Sequence, residues 1–171
     1  MGTASLINGY TGGIMVEVYD RLFVGPVDDC RKGVENLAVV HACKSPCHQQ
    51  SVGYRGSLSA DHPNYLVLQR DHDLYLNIID PPVPLFKAAT FERFLAFART
   101  KYDSGASVLI HCNQGESRAP SLALLFLAKH IGKLSNTSYM DAKYTFEKTF
   151  PAYQPGLGIQ RFLASNWKTI Q

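Results

Sequence analysis

At 171 residues the chain is long enough for one domain with a full core and too short for two comfortable ones. Its 46% hydrophobic and 18% charged residues read as an ordinary globular protein, and with no run of eighteen apolar residues nothing is expected to span a membrane. A net charge of +3, spread along the sequence, suits an anionic substrate and does not argue for nucleic acid as a partner.

The N-terminus lacks the basic-then-apolar layout of a signal peptide, and the four cysteines lack the spacing of a secreted disulfide scaffold. Both point to a reducing, cytoplasmic setting. Residues 1–14, rich in Gly, Thr, Ser and Asn, are expected to be a flexible arm ahead of a single domain over 15–171. Val16 to Gly25 gives two short strand-like runs around Asp20-Arg21. Asp28 to Asn36 predicts a short helix, and Leu37 to His41 a buried strand. Residues 44–64 are polar with turn residues throughout and predict a long loop of the kind that carries recognition. Tyr65–Leu68 and Leu74–Ile78 bracket Arg70-Asp-His-Asp73 as a hairpin. Asp80-Pro-Pro-Val-Pro84 is a stiff loop, because three prolines in four residues restrict the backbone.

From Thr90 to Lys101, Phe91, Phe94, Leu95 and Ala98 recur at helical spacing. Val108-Leu-Ile110 predicts a buried central strand. The apolar stretch from Arg118 to about Ile131 predicts a core helix stopped by Gly132. Two more helices follow, Ser138 to Phe150 and Gly158 to Ile170, the latter with Ile159, Phe162, Leu163 and Ile170 on one face. Strands and helices alternate toward a central sheet, so the class is α/β.

Between the central strand and the core helix stands Cys112-Asn-Gln-Gly115-Glu-Ser-Arg118. A loop entering a helix N-terminus turns backbone N–H groups toward one point, and the helix dipole adds partial positive charge there. Gly115 permits the conformation such a nest requires. A dianionic phosphate fits the cradle formed by Asn113, Gln114, Gly115, Glu116, Ser117 and Arg118, and the Arg118 guanidinium can grip two of its oxygens. The same field favours a thiolate at Cys112, the form in which cysteine is a nucleophile.

His111-Cys112-x-x-Gly115-x-Ser117-Arg118 resembles the active-site signature of the cysteine-dependent protein tyrosine phosphatases, and its Gly-x-Ser-Arg ending is most similar to the dual-specificity branch. The resemblance runs roughly from Val16 to Trp167, with only this loop and one upstream aspartate specific. It implies a mixed, largely parallel sheet flanked by helices. It also implies a phosphoprotein phosphatase acting on phosphotyrosine, either alone or together with phosphoserine and phosphothreonine, through a cysteinyl-phosphate. The family's general acid lies on a loop before the helix that leads into the nucleophile strand, and Asp80 occupies that place, with Asp71 and Asp73 as the alternatives. Burial against the prolines, beside an anionic phosphate, is expected to keep it protonated. No cofactor and no metal is implied, and the chain is expected to act as a monomer on phosphorylated protein.

Several residues depart from the family pattern or qualify it. The hydroxyl residue usual after the arginine is Ala119 here, an alanine shared with the phosphatases of regenerating liver, which implies slow turnover. Ser121 is read either as a substitute hydroxyl or as a helix-surface serine. Glu116 weakens attraction for polyanions and so tilts the reading from phosphoinositides or RNA toward phosphoproteins. His111 is read as support for the loop and the thiolate. Cys43, at the end of the Leu37–His41 strand, corresponds to a cysteine that in several related phosphatases forms a disulfide with the nucleophile. His41-x-Cys43-x-x-x-Cys47-His48 can also be read as zinc ligands, but its irregular spacing would turn half the set into a strand interior. Two other readings stand beside the leading one: a phosphatase of this scaffold acting on a lipid, nucleotide or RNA phosphate, and a module that binds phosphoproteins with little turnover.

Overall fold

The computed structural model describes residues 15–27 and 35–171. The expected arm over 1–14 and nearly all of the helix expected from Asp28 lie outside the described residues. Six described strands form one sheet in the order β1-β2-β6-β3-β5-β4: β1 Val16–Tyr19, β2 Leu22–Pro26, β3 Leu37–His41, β4 Val67–Gln69, β5 Asp73–Leu76 and β6 Ser107–Cys112. The inner four, β2, β6, β3 and β5, run parallel, and each edge strand is antiparallel to its neighbour. The fold class is therefore the expected α/β arrangement around a mixed, largely parallel sheet.

Side chains alternate across the sheet with a period of two, and the alternation divides the core. Leu22, Val24, Ala38, Val40, Val108, Ile110 and Cys112 join the large cluster beneath the helices. Phe23, Val39 and Leu109, on the other face, pack with Met15 and Leu37 in a small cluster. Helix α2, Ala88–Asp103, buries Phe91, Phe94, Leu95 and Ala98 as the spacing predicts. Helix α3, Arg118–Phe126, is buried along its whole length; a wider turn over Leu127–Ile131 prolongs it until Gly132, at φ 71°, reverses the chain.

Two more helices complete the helical face. Helix α4, Tyr139–Thr149, is capped by the Ser138 hydroxyl, which accepts from the Asp141 N–H at 3.1 Å. Helix α5, Leu157–Asn166, is shorter than the sequence predicts, yet Ile170 remains buried because the Ile170 N–H still reaches the Asn166 carbonyl at 3.1 Å.

Residues 44–64 are not irregular throughout. A wide helical turn over Lys44–His48, containing a cis Ser45–Pro46 bond, leads into α1, Gln49–Val52, which Gly53 ends at φ 91°. Both turns are too short for an apolar period to show in the sequence.

Candidate active site

The C-terminal ends of β2, β3, β5 and β6 converge on one edge of the sheet, where open α/β sheets hold ligands. Cys112 is the last residue of β6, and α3 begins at Arg118. The loop between them folds back on the cysteine: the Gly115 N–H donates to Cys112 Sγ at 3.3 Å. Gly115 has φ 76°, and a Cβ there would stand 2.8 Å from the Gly25 carbonyl carbon at the end of β2. Only glycine fits. No side chain caps the N-terminus of α3, so its first N–H groups remain available to an anion.

Arg118 is buried and turns back toward the loop. Its Nη2 donates to Asn113 Oδ1 at 2.7 Å and its Nη1 to the Ile78 carbonyl at 3.1 Å. The buried Nε has no hydrogen-bond partner among the described residues. A buried charged donor left unmatched is costly, and an oxyanion in the loop would relieve it. Asn113 is itself fixed through its Nδ2, which donates to the Ser45 carbonyl at 3.0 Å. Gln114 and Glu116 are exposed, Ser117 is half-buried and Gly115 is buried.

Asp80 lies in the loop after β5, two residues beyond the carbonyl that anchors Arg118. It is exposed, so the expected burial against the prolines is not found: Pro81 is buried beneath it while Asp80 and Pro82 face outward. A third segment, which sequence reasoning missed, joins the two loops. The Gln154 N–H donates to the Glu116 carbonyl at 2.8 Å, and the Gly156 N–H to Ser117 Oγ at 2.9 Å. On its other side Gly156 abuts the Asp80 carboxylate. A lone Gly-Leu-Gly after a proline gives no sequence signal for this contact.

Ser121 is neither at the surface nor a free hydroxyl. It is fully buried, its Oγ 2.8 Å from the Tyr153 hydroxyl, which lies 2.9 Å from that of Tyr139. Burial pushes the Tyr139 phenol up to about 12 and that of Tyr153 well above its ordinary value. Ala119 is fully buried in the first turn of α3. His111 points away from the loop, because alternation sends it to the opposite face from Cys112; its Nε2 meets His41 Nδ1 at 2.7 Å. Burial and then His41 lower its pKa to about 4. Cys43, Cys47 and Cys112 are thiols. A hydrogen bond with the Cys47 side chain holds the Cys43 thiol below its usual value despite burial, with the Cys47 backbone and the Arg118 charge acting in the same direction.

No family model matches the sequence, and no curated protein matches it. Solved structures do. A mouse putative dual specificity phosphatase, crystallised with zinc tungstate, superimposes with a TM-score of 0.66 at 20% identity, over 96% of this chain and 92% of that one. The human tyrosine phosphatase-like serine/threonine/tyrosine-interacting protein gives 0.64 at 20% identity, over 91% and 96%. This chain has the dual-specificity phosphatase fold. A leucine rich repeat and phosphatase domain containing protein from Entamoeba histolytica shares that fold at 14% identity, with a TM-score of 0.63 and 91% of each chain covered. In this dual-specificity phosphatase fold no described helix is long and apolar enough to cross a membrane.

Proposed function

We propose that the chain is a cytoplasmic phosphoprotein phosphatase of the dual-specificity type that works through a cysteinyl-phosphate. Cys112 attacks phosphorus as the thiolate. Arg118, with the N–H groups of residues 113–118, carries the charge of the phosphoryl group in flight. Asp80 gives its proton to the leaving oxygen, and then takes one from the water that attacks the cysteinyl-phosphate. Phosphate, the Cys112 thiolate and a reprotonated Asp80 are the products of the second step, so the cycle closes without a cofactor.

The observation that carries this reading is the state of Arg118. Both terminal nitrogens are tied to protein while Nε is buried and unmatched, beside a loop whose Gly115 N–H already points at sulfur. Such an arrangement is preorganised for an oxyanion and makes little sense without one.

The surroundings favour a protein substrate. Ile79, Val83 and Leu85 are exposed on the Asp80 loop, an apolar rim suited to a peptide rather than to an inositol ring or a sugar. Beside it lies a groove of about 220 Å³ whose lining includes Leu58, Leu66, Leu85 and Phe86 together with Lys44 and Lys87. Glu116, exposed at the loop, disfavours polyanionic headgroups.

A buried Ala119 in place of a hydroxyl supports one further reading, capture of phosphoproteins with little turnover. Hydrolysis of a small aryl phosphate separates the two. The wild-type chain is expected to hydrolyse it and Cys112→Ser is not, and a panel of phosphopeptides is expected to be turned over faster than phosphoinositides. An inactive wild type that still binds phosphopeptides would establish the capture reading, and a preference for phosphoinositides would overturn the assignment to phosphoproteins.

A further inference from the structure

On the face of the sheet away from α3 lies a polar cluster for which phosphoryl transfer has no use. Strand register builds it. His41 pairs with His111 across β3 and β6 and with Tyr75 across β3 and β5, so the three side chains share one face. Both histidines are buried, and the Tyr75 ring stacks on His41 with centroids 4.2 Å apart. His41 Nε2 donates to Asp73 Oδ1 at 2.9 Å. The helical turn Lys44–His48 brings Cys47 to the same point, and its Sγ and one nitrogen of each histidine all lie within 4.8 Å of one another.

We propose that His41, His111 and Cys47 form a binding site for a divalent cation of the zinc class. Two imidazoles and a thiolate are the donor set zinc prefers over the harder alkaline-earth ions. The far nitrogen of a ligating histidine commonly donates to a carboxylate, which fixes the tautomer, and Asp73 does this for His41. The Nδ1 lone pair of His41 is thereby turned toward His111, whose Nε2 carries the proton between the two rings. A cation takes the place of that proton, which moves to His111 Nδ1, a buried atom with no hydrogen-bond partner among the described residues. Cys47 gives its thiol proton to solvent as the sulfur–metal bond forms. The facing nitrogens, 2.7 Å apart, need to open only to about 3.3 Å, the separation that Zn–N bonds of about 2.0–2.1 Å at a tetrahedral angle require.

The linear pattern His41-x-Cys43-x-x-x-Cys47-His48 names the wrong second histidine. His48 is engaged elsewhere, 3.0 Å from the Tyr54 hydroxyl through Nδ1 and 2.9 Å from the Asn64 carbonyl through Nε2. His111, distant in sequence, takes its place because β6 lies beside β3. The site sits behind the nucleophile and is separate from it, since Cys112 points to the helical face.

The test is a titration of the reduced, chelator-treated full chain with Co²⁺. One equivalent is expected to give a thiolate-to-cobalt charge-transfer band in the near ultraviolet and the intense visible bands of tetrahedral coordination, both abolished by Zn²⁺. Cys112→Ser is expected to give the same spectra, Cys47→Ser to give no charge-transfer band, and Asp73→Asn to weaken binding about 10–100-fold, the usual effect of losing such an outer carboxylate. Zinc-edge X-ray absorption of the loaded wild type, expected to report sulfur and imidazole together, decides the matter even where a variant does not fold. A wild type without the charge-transfer band overturns the proposal. So does a band that survives in Cys47→Ser or disappears in Cys112→Ser.

Discussion

The Asp80 carboxylate rests against the α-carbon of Gly156, so closely that a methyl group on Gly156 would stand 3.0 Å from Asp80 Cγ and nearer still to Oδ1. The same glycine donates its N–H to Ser117 in the loop between Cys112 and α3. One residue thus sets the spacing between the proposed acid and the proposed phosphate site. Gly156→Ala is expected to push Asp80 aside and to lower kcat/KM roughly tenfold or more for phenyl phosphate, while a nitrophenyl ester with its better leaving group is affected far less. Asp80→Asn should show the same dependence on the leaving group with a larger loss, about 10²–10⁴-fold, the usual contribution of a general acid. Equal losses on both esters would mean that Gly156 holds the loop's shape rather than the acid.

Arg118→Lys tests the grip on phosphate. A lysine keeps the charge, but it cannot satisfy both the Ile78 carbonyl and Asn113 Oδ1 while presenting a further donor to the loop. The expected loss in kcat is about 10²–10³-fold, the scale seen on removing one preorganised oxyanion donor. Binding of vanadate by calorimetry should weaken in parallel, and a variant retaining wild-type turnover would remove the guanidinium from the mechanism.

Ala119→Ser should raise kcat. The side chain sits in the first turn of α3, one residue past Arg118 and fully buried, so a hydroxyl there has no water to bond and must turn to neighbouring groups. If it donates to the departing sulfur, breakdown of the cysteinyl-phosphate speeds up, and the pre-steady-state burst of aryl alcohol shrinks relative to steady turnover. Unchanged or slower turnover would count against breakdown as the limiting step.

The hydroxyl chain Ser121–Tyr153–Tyr139 ties α3 to α4 and to the segment that carries Gly156. Tyr153→Phe removes its middle member and leaves two buried hydroxyls short of a partner. The expected cost is about 1–3 kcal/mol of unfolding free energy, that of a buried unmatched polar group, read by urea denaturation. Turnover of small aryl phosphates should change less than twofold. A large loss of activity at unchanged stability would instead place Tyr153 in the chemistry.

What the sequence made legible follows from how local the determinants are. The nest around Cys112 lies within eight residues, and its glycine and arginine needed only the strand before them and the helix after them to take up their positions. The central strand, the core helix and its Gly132 stop were readable for the same reason. The position of Asp80 after β5 could be read from order along the chain, but not its exposure, because the loop that carries it lies against Gly156 and Gly158, far away in sequence. The contacts through Gln154 and Gly156, and the pairing of His41 with His111, join residues brought together by sheet register and helix packing alone. Alternation also decided the orientation of His111: adjacent to Cys112 in sequence, it had to face the other way.

Cys43 supplies the last test. It is buried at the end of β3, within the field of Arg118 and hydrogen-bonded to Cys47. Peroxide is expected to oxidise the Cys112 thiolate to a sulfenic acid; attack by the Cys43 sulfur then releases water and forms a Cys43–Cys112 disulfide. Peptide mapping of the oxidised protein should find that link, and thiol reductant should restore activity. In Cys43→Ser the disulfide is absent and inactivation becomes irreversible as Cys112 proceeds to higher oxidation states. The neighbouring Cys47 makes the experiment discriminating, because a Cys43–Cys47 link with Cys112 unprotected would show that the two β3-side thiols pair with each other and leave the nucleophile exposed to damage.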